Sequence, residues 1–76
     1  MAGAEVTAAQ LTALTSVPRP ADAGDCGVAR DLAGAWRVVW LRDGGRMREF
    51  VGPAFESVRA AVAASQWLRE QHGLDR

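Results

Sequence analysis

The chain has 76 residues, 49% of them apolar, and its nine arginines balance nine acidic residues. A chain of that length builds one small core, the apolar share argues against wholesale disorder, and formal neutrality argues against a generic binder of polyanions or anionic membranes. One cysteine, Cys26, cannot form an internal disulfide; with no apolar run near the roughly 18 residues that span a bilayer and no basic-then-apolar start, the expected location is cytoplasmic.

The sequence predicts one α+β domain over residues 1–76. A small antiparallel sheet, at least a hairpin, packs on one C-terminal helix, and a short helix precedes it. Thr7-Ala-Ala-Gln10 spells a capping box, so a helix is expected over 7–16, with Leu11 and Leu14 on its apolar side and Pro18 and Pro20 ending it. So short a helix must dock to persist. Residues 17–26 read as linker. Gly27 to Asp31 offers a first strand before a turn at Leu32-Ala-Gly34, which would make the sheet three-stranded over 27–51.

The hairpin is the firmer part. Trp36-Arg-Val-Val-Trp-Leu-Arg42 and Arg46-Met-Arg-Glu-Phe-Val51 are rich in β-branched and aromatic residues, and they flank Asp43-Gly44-Gly45, which tolerates positive φ. Loop length sets the register. A three-residue loop with a glycine bulge gathers Trp36, Val38, Trp40 and Phe50 on one face, leaving Arg37, Val39, Leu41, Met47, Glu49 and Val51 on the other. A two-residue loop slips the second strand by one, so that Phe50, Arg46 and Arg48 join Arg37, Val39 and Leu41. The first is preferred because it collects the large aromatics into one core, which gives Trp36 and Trp40 a structural role. A helix over 53–72 follows, with Pro53 in its first turn and Gly73 past its end. Phe55, Val58, Ala61, Val62, Ser65 and Leu68 form the stripe that would cover the sheet. Trp67 lies off that stripe and is expected either under the N-terminal helix or at a partner.

Catalytic chemistry has little to stand on. His72 is the one histidine and sits at a helix end, Cys26 has no nearby histidine, no Cys/His spacing suits a metal, and the acids do not pair as acid and base. No enzyme activity and no cofactor are expected. The arginines are more informative: six lie between Arg30 and Arg59. They serve either as solvated strand positions that discourage edge aggregation or as a patch for phosphate or carboxylate groups.

Gly27-Val-Ala-Arg30, Gly34-Ala-Trp36-Arg-Val-Val, Gly45-Arg46 through Phe50 and the Ala-rich helix resemble the three-strand-plus-helix DNA-binding domains of the plant ethylene-response-factor type. The arm-binding domain at the amino end of phage integrases is similar, over residues 27–70. The resemblance implies that the sheet face away from the helix reads duplex DNA, with Arg30, Arg37 and Glu49 as readers. Val39, Leu41 and Met47 stand where that family has mostly charged or polar residues. In size, neutral charge and hairpin-helix build the chain also looks like the compact inhibitors of phages and mobile elements, anti-CRISPR proteins among them. That likeness implies a stoichiometric blocker of a protein or nucleoprotein complex. The first expectation is therefore a non-enzymatic inhibitor or modulator that binds through Arg37, Val39, Leu41, Arg46, Arg48, Glu49 and Trp67. The alternative is a small duplex-DNA-binding accessory protein using Arg30, Arg37, Arg46 and Arg48. The sequence leaves open homodimerisation through the outer sheet face or the Trp67 stripe.

Overall fold

A computed structural model of the chain describes residues 6–74. Its elements run α1 (Ala8–Thr15), β1 (Ala23–Arg30), β2 (Trp36–Arg42), β3 (Met47–Phe55) and α2 (Val58–Gln71). The fold is α+β: an open three-stranded antiparallel sheet in the order β1-β2-β3, with a short N-terminal and a longer C-terminal helix. No helix among the described residues is long and apolar enough to cross a membrane.

The capping box forms as expected. Thr7 Oγ1 accepts from the Gln10 amide at 3.1 Å, and Gln10 Oε1 accepts from the Thr7 amide at 2.9 Å, satisfying donors that a helix start otherwise leaves open. The linker is shorter than expected, because β1 starts at Ala23 rather than Gly27. Ala23 and Cys26 are both buried on the helix side, and Arg19 Nε donates to the Ala23 carbonyl at 2.7 Å. Apolar burial thus recruits a segment whose Gly/Asp content reads as loop. Between β1 and β2, Asp31 organises the turn. Its carboxylate accepts from the Ala33 and Ala35 amides at 2.9 and 3.0 Å, while Gly34 supplies the positive φ of 86°.

The hairpin register is corrected. Arg42 pairs with Met47, so the connection is the four residues Asp43–Arg46 rather than three. Asp43, Gly44 and Gly45 all take positive φ, at 53°, 65° and 90°. An even loop inverts the second strand relative to a three-residue one. Val51 therefore lies opposite Val38 and Glu49 opposite Trp40, while Phe50 lies opposite Val39 on the other face.

The start of the last helix is also corrected. Gly52-Pro53 does not begin it; β3 continues through both to Phe55, which pairs with Trp36. The extra residues form a bulge opposite Arg37, with Gly52 at φ 75°. Helix α2 begins at Val58, capped by the Ser57 hydroxyl, which accepts from the Ala60 amide at 3.1 Å. Its buried stripe is Ala60, Ala61, Ala64, Ser65 and Leu68, while Val58 and Val62 stay exposed. The stripe is rotated from the expected one because Trp40 and Phe55 already fill the space above the sheet. Alanines let the helix approach these rings where larger side chains would overpack.

Both helices use the same side of the sheet. Leu14 of α1 and Ala60, Ala61, Ala64 and Leu68 of α2 join Cys26, Val38, Trp40, Val51 and Phe55 in one buried cluster. Val39 is equally buried yet stands outside that cluster. It belongs to the opposite face.

Candidate functional site

Strand alternation assigns the face away from the helices: Gly27 and Ala29 from β1, Arg37, Val39 and Leu41 from β2, and Arg48 and Phe50 from β3. The small β1 residues leave room for Leu41 to lean sideways. Its Cδ1 lies 4.0 Å from the place a Cβ on Gly27 would occupy. Phe50 is 44% exposed, Leu41 is half-buried, and Val39 lies between them. The result is a short apolar strip along the middle of the face.

Arg37 is fixed on this strip by three contacts. Its Nη2 donates to the Gly52 carbonyl at 2.8 Å, filling the gap that the bulge leaves in the ladder. Its Nη1 lies 3.5 Å from the Asp31 carboxylate. Its guanidinium carbon sits 5.2 Å from the Phe50 ring centroid, within the range where a cation is drawn to an aromatic face. The Ala35 and Ala33 amides, and after them Arg37, hold the Asp31 carboxyl below the usual carboxylate range. The side chains of Arg46 and Arg48 have no ion pair or hydrogen-bond partner among the described residues. They are the two exposed cations at the hairpin end.

Of the residues expected to bind a partner, Arg37, Leu41 and Arg48 share this face. Val39 shares it too, but at 1% exposure it is the floor of the strip and not a contact residue. Arg46 ends the turn beside the face rather than standing on a strand. Two of the expected residues lie off this face. Glu49 is on the helix side by the corrected register and pairs with Arg42 at 2.6 Å, while Arg42 also holds Asp22 at 2.7 Å. Trp67, on α2, packs half-buried against the core, away from this face. Within the alternative set, Arg30 also leaves the face, its guanidinium lying 5.1 Å from the Trp36 ring. The readers implied by the ethylene-response-factor resemblance therefore do not assemble: only Arg37 is on the outer face.

Asp31 belongs to the site and was missed, and Phe50 belongs to it but stands there only in the register that was not preferred. The two-residue-loop register puts Phe50 on this face, and a four-residue turn that takes in Arg46 gives the same face by parity. Asp31 carries a weaker signal: an aspartate two residues before a small residue and three before a glycine is a common turn former.

Elsewhere the polar groups are structural. Arg69 Nε pairs with Asp25 at 2.9 Å and its Nη2 donates to the Cys26 carbonyl at 2.8 Å, covering part of the free edge of β1. The Cys26 thiol donates to the Ser65 carbonyl at 3.3 Å, and burial pushes its pKa up, so it remains a thiol near neutrality. Among the described residues, no group of three His, Cys, Asp or Glu side chains is placed to hold a metal ion. Comparison with protein-family models, curated proteins and solved structures gives no match to this chain.

Proposed function

We propose that the chain is a non-enzymatic interaction protein that docks through the face opposite its helices. In that role it occupies a surface on a larger protein or nucleoprotein complex, as a stoichiometric inhibitor or modulator in the manner of anti-CRISPR proteins. One observation carries the reading: the Val39–Leu41–Phe50 strip lies between arginines, and neither helix contributes to it. An apolar centre with an arginine rim matches the usual anatomy of protein interfaces.

A second reading, duplex DNA contact by the same face, gains from one feature. The corrected register puts Arg48 on the same face as Arg37, opposite Leu41 and beyond Phe50. Its reach is limited, however, because Arg37 is already engaged by Gly52 and Asp31. Arg46 and Arg48 remain for phosphates, and two neutralised phosphates give a salt slope of only about −2 in log affinity. The apolar strip would also face a polar groove. Protein docking fits the surface better.

The test is retention of a partner by the immobilised chain from the cells that encode it. Leu41→Glu should abolish retention, while Val62→Glu, on the exposed side of α2, should not. Equal retention by both variants would contradict this assignment.

A further inference from the structure

We infer that the docking face receives its partner as an added β-strand along the free edge of β3, and that the strand carries a carboxylate two residues from an apolar side chain. This rests on the reading of the outer face as a docking surface and specifies how it is used.

The backbone determines which edge groups are open. Both main-chain polar groups of Cys26 are met from outside the sheet: its amide donates to Asp25 Oδ1 at 2.8 Å, and its carbonyl accepts from Arg69. Cys26 therefore points away from β2, and its neighbours Gly27 and Ala29 point toward Val39 and Arg37. Alternation then turns Val38, Trp40 and Arg42 toward β3, where Val51, Glu49 and Met47 answer them. The amides and carbonyls of Arg48 and Phe50 are left facing outward. The far half of β3 is closed off by α1, whose Leu14 packs against Gly52. The open stretch is therefore residues 47–50.

The side chains along that stretch select the occupant. Met47 is 55% exposed and Phe50 44% exposed, unusual for an edge that is protected from pairing. Arg48 and Phe50 lie on the same face, two residues apart, so an incoming strand meets a cation and then a ring. A second copy of this chain is a poor occupant, because it would bring Arg46 and Arg48 of both copies to one seam. A strand with a carboxylate opposite Arg48 and an aliphatic residue opposite Phe50 satisfies charge, apolar area and backbone together.

The probe is a capped seven-residue peptide of threonines with glutamate at its second and sixth positions and valine at its fourth. That spacing suits either strand direction. At saturation the peptide is expected to slow hydrogen exchange of the Arg48 and Phe50 amides about tenfold or more. Arg48→Pro, which removes an outward amide but no internal ladder bond, should weaken binding at least about tenfold, and Arg48→Gln less. A peptide with lysine in place of glutamate should not bind. Shifts of the Val39 and Leu41 methyl signals without protection of the two amides, or full binding by a folded Arg48→Pro variant, overturn strand addition and leave the docking face standing. Equal binding of the lysine peptide overturns the carboxylate assignment. No change at the methyls or the amides overturns strand addition together with the docking face.

Discussion

On the open face, the Arg37 guanidinium carbon lies 5.2 Å from the centroid of the Phe50 ring, while Nη2 of the same group donates to Gly52 O at 2.8 Å. One side chain thus orders the apolar strip and repairs the β3 bulge. Arg37→Ala removes a charge-assisted hydrogen bond and is expected to lower stability by about 2 kcal/mol. Phe50→Ala, at a half-open position, should cost about 1 kcal/mol. Urea unfolding of the two variants checks the order. A larger loss at Phe50 would mean that the ring, and not the guanidinium, holds this region.

Gly52 and Leu14 form a second coupled pair. Gly52 has φ 75°, and a Cβ there would stand 2.5 Å from Leu14 Cδ2 and 3.1 Å from its Cγ. Gly52→Ala combines left-handed strain with overpacking and should destabilise by at least about 2 kcal/mol. Leu14→Ala should cost about 2–5 kcal/mol. The double variant should lose less than the sum, because truncating Leu14 relieves the clash but not the backbone strain. Strict additivity in a double-mutant cycle would argue that α1 does not dock over Gly52.

Trp40 is 0% exposed, whereas Trp36 is only half-buried beside Arg30. Trp40→Ala should therefore cost about 3–5 kcal/mol, as large aromatic truncations in cores do, and Trp36→Ala clearly less. Thermal unfolding of both variants measures the difference. The reverse order would place the centre of the core at the other end of β2.

Acid should destabilise the fold. The Asp31 carboxyl is held below its ordinary value by the Ala35 and Ala33 amides and by Arg37, and the Asp25 carboxyl by the Cys26 amide and Arg69. A carboxyl with a lower folded than unfolded pKa binds fewer protons when folded. Its contribution is complete above the unfolded pKa of about 3.9 and is lost as pH falls through the lower folded value. Stability from these two groups should be level from pH 7 to about 5 and decline below about 4. Asp31→Asn should shallow that decline, as read from urea midpoints across pH. An unchanged acid limb would remove Asp31 from the explanation.

The architecture was legible where local chemistry is decisive. The capping box, the aromatic strands, the glycine-rich turn and Gly73 past the last helix each carry their own signal. The register was not, because it turns on whether Arg46 belongs to the loop, and propensity does not separate three residues from four. Gly52-Pro53 misled in a similar way. The pair reads as a break, yet the bulge absorbs it because Arg37 replaces the missing ladder bond and Phe55 regains the core. The site was legible in part for the same reason. Arg37 and Leu41, on β2, fell on the open face in either register, while Arg48, Glu49 and Phe50 all changed sides with it.

The measurement that bears most directly on an uncovered docking face is the unfolding free energy of Leu41→Glu in urea, set beside its loss of partner retention. With the face open, the carboxylate reaches water and stability should stay within about 1 kcal/mol of the native chain. A loss of about 3 kcal/mol or more, the cost of a charge forced into a closed apolar site, would show that the chain covers this face itself and would contradict the docking role.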